Sequence, residues 1–337
     1  MSSISKEIKE LSKITSEEWK EWTMTVWNIA NISDSIHPAV FPVEIPRRLL
    51  KMFSFWGEIV LDPFSGTGTT GVAAVENGRK YIGFETNPVY YSRSIERLKE
   101  CSSPNSMQEA SEDFKIYNDS CLSMKDIPDN SVGAIITSPP YWNKADYGKY
   151  EGNIGGFEYY DDFLVNMEEV IKQCYRVLMP GRKLCIVTAN VNQNTREFGL
   201  VTIPIASDLT KIAQNVGFSL INQIIWNKNG TGGKWGSSNS QRPIFGSYPY
   251  PPNLLFKNVN EYIIIIQKPD PKKKNTSAPS YYDLFRKSPR WGCCKTKVEQ
   301  QPLFLWKSGS VQYFGVQIVK KFVTKRKKWY SKAGLLG

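Results

Sequence analysis

Short apolar runs alternate with amphipathic segments along most of the chain. The runs EIVLD (58–62), KYIGFE (80–85) and VGAIIT (132–137) have the length of buried strands and are bounded by Gly, Pro or polar residues. Further strands are predicted at 114–120, 182–191, 219–228 and 260–269, and helices at 44–53, 69–78, 88–100, 161–181 and 201–218. Strands that alternate with helices predict an α/β fold with a doubly wound sheet.

The two ends of the chain depart from this pattern. Residues 1–30 are polar, with Trp19, Trp22 and Trp27 at intervals of three and five, which predicts an amphipathic helix docked on the core. Three regions follow: a helical N-terminal extension over 1–34, a main domain over 35–270, and a C-terminal extension over 271–337.

Two segments stand out by length or charge, and the second, which is basic, suggests a polyanionic partner. A stretch rich in Gly, Ser, Pro and aromatics, about 228–258, separates the last two predicted strands, and a loop that long is usually functional. Residues 268–337 contain 17 Lys and Arg but 3 Asp and Glu, in a chain of net charge +11. Aromatic residues are interleaved with these cations, as on nucleic-acid-binding surfaces.

The overall composition limits the class of protein. Of 337 residues, 41% are hydrophobic and 22% are charged, and no apolar run is long enough to span a membrane. The N-terminal residues lack the apolar segment of a signal peptide, so we expect a soluble, cytoplasmic protein. The six cysteines show no CxxC spacing and His37 is the single histidine, so neither a disulfide framework nor a metal site is expected.

A glycine-rich turn follows the first long strand. In DPFSGTG the strand ends at Asp62, and Gly66 and Gly68 allow the backbone to approach a ligand closely. Glu85 closes the next strand, 19 residues after Gly66, where an acid can hydrogen-bond a ribose diol. Because the pyrophosphate fingerprint and the P-loop are both missing, the pattern favours a nucleoside without a diphosphate.

The segment TSPPYW (137–142) ends another buried strand in an unusual way. Pro139 and Pro140 cannot donate to a strand ladder, so they end the strand and fix the backbone that follows. The Pro139 carbonyl then points in one set direction beside the flat surface of Tyr141. This arrangement suits a planar ring that carries an exocyclic amine.

These motifs together resemble a known enzyme family. The combination of LDPFSGTGTT, GRKYIGFE, TSPPYW and EYIIIIQKP is similar to the DNA amino-methyltransferases that use S-adenosylmethionine and methylate cytosine N4 or adenine N6 in restriction–modification systems. The resemblance covers roughly residues 35–270. It implies a mostly parallel, seven-stranded, Rossmann-like sheet with an inserted target-recognition loop and a basic C-terminal extension that contacts DNA. Many members place the PPY segment first, so the order here is that of a circularly permuted relative, and the spatial arrangement should persist.

The resemblance also implies a cofactor pocket. Its expected members are Asp62, Phe64, Gly66 and Gly68 on the methionine and adenosine side, Glu85 at the ribose hydroxyls, Asp119 of NDS near the adenine amine, and His37 of HPAVFP.

The chemistry implied for TSPPYW concerns a poor nucleophile, because the lone pair of an exocyclic amine delocalises into its ring. Ser138 Oγ and the Pro139 carbonyl would accept the amine hydrogens, and Tyr141 would stack on the base. The methyl group would transfer directly, so catalysis would rest on positioning and electrostatics. The base would have to leave the duplex to reach this pocket.

The identity of the base and of the partners follows from the same resemblance. A serine in the first position of this motif is associated with cytosine N4, and Asp or Asn with adenine N6, so we expect a cytosine-N4-specific DNA methyltransferase, with adenine N6 as the alternative. Methylation of RNA or of a protein amide, and a catalytically silent DNA-binding protein, are further alternatives. The expected partners are double-stranded DNA, read by Lys234, Gln241 and Arg242 in the long loop, and a cognate restriction endonuclease.

Overall fold

A computed structural model describes most of the chain up to residue 272. The described residues are 4–31, 41–101, 113–144, 148, 150, 152–228, 247–252, 254–256 and 258–272. All of them fall within one contact unit, Met1–Ser280. None of the helices in these residues is long and apolar enough to cross a membrane.

The described residues form helices and strands in the order expected of an α/β fold. The helices are α1 (Lys6–Leu11), α2 (Ser16–Trp22), α3 (Glu44–Phe53), α4 (Thr69–Glu76), α5 (Pro88–Cys101), α6 (Tyr160–Val177) and α7 (Ile205–Val216). The strands are β1 (Val26–Asn28), β2 (Ile59–Asp62), β3 (Lys80–Phe84), β4 (Phe114–Tyr117), β5 (Val132–Thr137), β6 (Leu178–Thr188), β7 (Val191–Thr195), β8 (Gly199–Ile203), β9 (Ser219–Asn227) and β10 (Asn260–Gln267).

Eight of the strands make one mixed sheet in the order β1-β9-β10-β6-β5-β2-β3-β4. Strand β10 runs antiparallel to both of its neighbours, and every other neighbouring pair is parallel. The predicted doubly wound, mostly parallel sheet is therefore confirmed. The resemblance implied seven strands, and β1 is an additional strand at the edge beside β9.

Two hydrophobic clusters cover the two faces of this sheet. One contains Phe163 of α6 and Leu209 of α7. The other contains Leu49 of α3, Ala73 of α4 and Leu98 of α5. Because the helices cover both faces of the sheet, the carboxyl ends of the parallel strands remain available for a ligand.

The strand order reverses between β2 and β5. From β2 the chain proceeds outward through β3 to β4, whereas β5 and β6 lie on the other side. A crevice forms at the carboxyl ends of strands where the order reverses in this way. The Gly-rich turn leaves β2 at that point, and TSPPYW leaves β5 there.

The sequence placed the end of α6 too late. The helix was predicted to reach the Pro-Gly at 180–181, but it ends at Val177, and Leu178 pairs with Val132 as the first residue of β6. The reason is a long-range cap, since the Lys268 ammonium donates to the carbonyl oxygens of Tyr175 (2.6 Å) and Leu178 (2.9 Å). A lysine at this position satisfies carbonyls that have no partner within the helix.

The helix predicted at 201–218 was also wrong at its start. Residues 199–203 form β8, which pairs with β7 along its whole length in a two-stranded hairpin. The turn is favoured by Gly199, whose φ is +66°, and by Thr195, whose hydroxyl accepts the N–H of Phe198 at 3.0 Å. The helix begins after Pro204, which has no N–H to contribute.

The N-terminal segment is not helical throughout. Helix α2 ends at Trp22, and Val26–Asn28 pairs in parallel with Ile225–Asn227. The β-branched and aromatic residues of TVW favour a strand, and β9 offers them an edge. Trp27 is buried, and its indole N–H donates to the Trp22 carbonyl at 3.2 Å.

Replacing Lys268 with Met should destabilise the protein. The variant would leave the carbonyls of Tyr175 and Leu178 and the Asn130 side chain, which the ammonium contacts at 2.7 Å, without their donor. The expected loss is roughly 2–4 kcal/mol in the free energy of unfolding, measured by urea denaturation. The control is Lys272→Met, because Lys272 is exposed. Equal midpoints for the two variants would contradict this account of the cap.

Candidate active site

An open cleft lies where the strand order reverses. Both predicted motifs contribute to its lining, which includes Phe64, Gly66, Glu85, Asp119, Ser138, Pro139, Pro140 and Tyr141. The two motifs, which are separated by more than 50 residues between Glu85 and Ser138, therefore meet in one cavity.

Asp62 supports the cleft from behind and is not part of its lining. One carboxylate oxygen accepts the Thr137 hydroxyl (2.6 Å) and the Phe64 N–H (3.0 Å). Burial raises the pKa of Asp62 to about 6, against the effect of these two donors. The carboxyl group thus fixes the turn after β2 to the last residue of β5.

The glycine-rich turn uses both of its glycines in a left-handed conformation. Gly66 has φ +53° and Gly68 has φ +81°, and Gly68 is the residue before α4. A Cβ atom at Gly68 would lie 3.0 Å from the Cβ of Ser94, so this glycine also permits close packing of α5. From α5, Arg97 donates to the Thr67 carbonyl at 2.7 Å. Gly68, like Asp62, shapes the turn and does not line the cleft.

Glu85 closes one end of this turn. Its Oε2 accepts the N–H of Gly66 and its Oε1 accepts the N–H of Asn87, each at 2.8 Å. Burial, together with repulsion from Asp62, raises the pKa of Glu85 to about 7 although these donors oppose the shift. Each carboxylate oxygen retains a lone pair for a further donor in the cleft.

Asp119 lies beyond the end of β4 and is exposed in the cleft. Its carboxylate accepts the N–H of Ser120 at 2.7 Å. The preceding residue, Asn118, donates to the Glu85 carbonyl at 2.8 Å and so holds the ends of β3 and β4 together. The two carboxylates of Asp119 and Glu85 therefore open into the same cavity.

The segment Ser138–Tyr141 borders the cleft directly after β5. The Tyr141 hydroxyl donates to Oε2 of Glu261 at 2.7 Å. Ser138 Oγ lies 3.4 Å from the Tyr141 hydroxyl oxygen. The hydroxyl groups of the two residues are thus neighbours at the border of the cavity.

Trp142 anchors this segment in the core. The residue is buried, and its indole N–H donates to the Phe157 carbonyl at 2.9 Å. Its ring and that of Tyr160 pack edge-on, with their centroids 5.4 Å apart. Its φ of +54° is uncommon for a residue with a side chain and costs energy. The surrounding contacts hold it there, which fixes the backbone immediately after Tyr141.

Sequence reasoning missed two residues beside the cleft. Glu261 is the second residue of β10, and Lys228 directly follows β9. Their side chains form an ion pair in which both are largely buried. Since β10 is antiparallel, its first residues lie at the edge where the parallel strands end. The sequence does show an acid at Glu261, directly before the apolar run YIIII (262–266).

Several predicted residues fall outside the described part of the chain. They are His37, Lys234, Gln241, Arg242 and all of the C-terminal extension beyond residue 272. Among the residues that are described, no group of three or more His, Cys, Asp or Glu could hold a metal ion.

Comparisons with known proteins agree in their assignment. The family model described as DNA methylase, for N6 and N4 methyltransferases, matches residues 2–96 and 132–333. The type II methyltransferase M.BglI of Bacillus subtilis is 38% identical over 90 residues, which are 26% of this chain and 26% of that protein. M.MjaI of Methanocaldococcus jannaschii, also a type II methyltransferase, is 48% identical over 80 residues, 22% of this chain and 26% of that protein.

A third relative has a more specific name. The DNA adenine methyltransferase YhdJ of Escherichia coli K12 is 44% identical over 62 residues, 18% of this chain and 21% of that protein. The matched segments thus span about a quarter or less of these relatives. The family model, in contrast, spans most of the present sequence and includes both motifs of the cleft. The chain therefore belongs to the DNA methylase family of N6 and N4 methyltransferases.

Proposed function

We propose that the protein transfers a methyl group from S-adenosylmethionine to the exocyclic N4 amine of a cytosine extruded from a specific duplex sequence. The observation that carries this proposal is the single cleft that Glu85 and the Gly-rich turn share with Ser138–Tyr141. Family membership and the names of the relatives support the reaction class.

The residues of the cleft fit this cofactor. Phe64 and Phe84 offer apolar surface for an adenine ring, and Glu85 offers acceptor oxygens for ribose hydroxyls. Glu85 and Asp119 place two acids in a cavity for a ligand that carries positive charge. The raised pKa of Glu85 shows that its carboxylate is poorly stabilised by the protein alone, so additional donors would be favourable there.

S-adenosylmethionine, when bound, supplies an electrophilic methyl group on a positively charged sulfur. The remaining tasks belong to the chain. Ser138 Oγ and the Pro139 carbonyl accept the two hydrogens of the amine, so that its lone pair is no longer fully delocalised into the ring. Tyr141 contributes a planar surface for the base, and Trp142 keeps that surface in place. Methylation replaces one N–H hydrogen, whose proton leaves to water.

A second candidate is methylation of adenine N6. The name of YhdJ, which matches this chain over 62 residues, favours this alternative. Cytosine N4 is favoured by Ser138, through the association of serine with that base in the resembled family. Both bases present an NH2 group to the same acceptors, so the residues of the cleft accommodate either of them.

A mapping experiment tests the function. A plasmid is propagated with the gene in a methylation-free host, sequenced for modified positions, and digested to nucleosides for mass analysis. We expect N4-methylcytosine in one sequence context, whereas N6-methyladenine would establish the alternative. Methyl transfer to RNA or to protein, but not to duplex DNA, would overturn the proposal, as would DNA binding without any transfer.

The variant Ser138→Ala should lose most of this activity. It removes one of the two proposed acceptors of the amine hydrogens, so the single-turnover rate should fall by about a hundredfold. The control is Ser131→Ala, at the opposite end of the same strand, where the hydroxyl only donates to the Pro128 carbonyl. An unchanged rate in Ser138→Ala would show that this hydroxyl has no part in the reaction.

Cofactor affinity should depend on pH through Glu85. Its pKa of about 7 means that the carboxylate of the free protein ionises as the pH rises through neutrality. The ionised form is the better acceptor for ribose hydroxyls, so the affinity should increase from about pH 6 to about pH 8 and level off above that. Calorimetric titration of S-adenosylmethionine at several pH values measures this.

The matched variant for the pH experiment is Glu85→Gln. It should bind more weakly by on the order of tenfold or more at about pH 8 and lose the rise through neutrality. Any dependence that remains near pH 6 belongs to Asp62, whose pKa is about 6. A variant with the same slope as the wild type would assign the rise to another group.

The described surface beside the cleft suggests one contact with DNA. The hairpin of β7 and β8 follows the carboxyl end of β6. Lys144, which lies shortly after Ser138–Tyr141, donates to Oε1 of Gln193 in this hairpin. Its strands carry amide and hydroxyl side chains, and its turn exposes Phe198. The major groove admits a two-stranded ribbon of this kind.

The variant Phe198→Ala should weaken binding to the methylated sequence by about tenfold, because an aromatic side chain that meets bases contributes that much. Fluorescence anisotropy of a labelled duplex measures the change, and cofactor binding should be unaffected. Trp19→Ala is the control, because Trp19 is an exposed aromatic in α2. Unchanged affinity in Phe198→Ala would exclude the turn from the DNA contact.

The biological role proposed for this activity is protection of DNA in a restriction–modification system. Two of the relatives are named type II methyltransferases, which supports that role. The proposed partner is then an endonuclease that cuts the same sequence. Unmethylated plasmid would be cleaved by that partner, and plasmid from the expressing host would resist it.

A further inference from the structure

The ion pair of Lys228 and Glu261 lies at the end of a continuous series of polar contacts that reaches the cleft. Lys228 Nζ contacts Oε1 of Glu261, and the other carboxylate oxygen accepts the Tyr141 hydroxyl at 2.7 Å. The Tyr141 oxygen is in turn 3.4 Å from Ser138 Oγ. Two strands at the far side of β6 therefore reach the segment that follows β5.

Burial makes this pair more than a surface contact. The exposed fractions of the Lys228 and Glu261 side chains are 15% and 12%. The Lys228 ammonium also lies 4.9 Å from the centroid of the Trp226 ring, a position in which a cation is attracted to the aromatic face. An ion pair held in this way keeps a fixed geometry, unlike most exposed pairs.

The chemistry of these groups sets the direction of each hydrogen bond. An ionised carboxylate has only acceptors, so the Tyr141 hydroxyl must be the donor to Glu261. Its single hydrogen is then used, so in its contact with Ser138 the Tyr141 oxygen acts as the acceptor. In a hydrogen bond between the two hydroxyls Ser138 is therefore the donor, and the lone pairs of its Oγ are available to the cleft.

We propose that Glu261, held by Lys228, is a positioning residue that turns Ser138 Oγ into an acceptor for the substrate amine and fixes the ring of Tyr141. This inference rests on the proposed function, because it names what prepares the same site. The separation of 3.4 Å between the two hydroxyl oxygens is long for a hydrogen bond. Such contacts often shorten once a substrate is bound.

A double-mutant cycle tests the proposal. The four proteins are the wild type, Glu261→Gln, Tyr141→Phe and the double variant, each assayed on the duplex identified by plasmid mapping. In Glu261→Gln, the amide can donate a hydrogen bond to the Tyr141 hydroxyl. Tyr141 would then donate to Ser138, whose Oγ would be a weaker acceptor for the substrate amine, so the single-turnover rate should fall by about tenfold. The KM for the duplex and the affinity for S-adenosylmethionine should remain those of the wild type.

The decisive comparison is made in the Tyr141→Phe background. If Glu261 acts through the Tyr141 hydroxyl, then Glu261→Gln should have no further effect on the rate once that hydroxyl is gone. The matched control is Glu58→Gln. Glu58 pairs with Arg182, and each side chain is 18% exposed, but Glu58 precedes β2 at the amino ends of the parallel strands, away from the cleft. It should leave the rate unchanged.

Two kinetic outcomes would overturn the proposal. One is an effect of Glu261→Gln that is equally large with and without the Tyr141 hydroxyl. The other is a rise in KM with an unchanged rate of methyl transfer, which would place Glu261 in binding and not in positioning.

A stability measurement separates this inference from the proposed function. The urea midpoints of the same four proteins report the contact without any turnover, and coupled residues should give shifts that are smaller in the double variant than the two single shifts combined. If the wild type methylates nothing but the shifts are coupled, the proposed function fails and the contact between Glu261 and the Tyr141 hydroxyl stands. If the shifts simply add, the inference fails whatever the activity.

Discussion

The hydrogen bond between Asp62 and Thr137 is the contact on which the rest of the site depends. It joins the last residues of β2 and β5, the two strands between which the strand order reverses. A carboxyl group in this position is costly to bury, as its raised pKa indicates. Both motifs that line the cleft begin at this contact, so a shift of β2 against β5 would separate them.

The sequence was sufficient to predict the meeting of the two motifs. Asp62 and Thr137 each end a short apolar run, and the ends of parallel strands lie at one edge of a sheet. The spacing from Gly66 to Glu85 likewise reflects a single β-α-β unit, whose geometry hardly varies. Helix α3 was predicted at its observed bounds for a similar reason. Its amphipathic pattern extends over ten consecutive residues and can be recognised without knowledge of a distant partner.

Features that depend on distant residues were not predictable in the same way. Glu261 is 120 residues from Tyr141, and the end of α6 is set by Lys268, 93 residues after Tyr175. No local pattern records which side chain will meet a given carbonyl or hydroxyl. The strand at Val26–Asn28 was missed because its pairing with β9 overrides the helical pattern of the residues before it. The hairpin at 191–203 was missed because the pairing of β7 with β8 depends on the tight turn between them.

The antiparallel direction of β10 has a consequence for the junction between β9 and β10. Asn227 at the end of β9 pairs with Asn260 at the start of β10, so the chain departs from the sheet and re-enters it at neighbouring positions. Whatever joins those two positions can be lengthened, shortened or exchanged while the ladder between the strands stays intact. A change in length or composition at this junction therefore leaves the strands that carry the sheet unaltered.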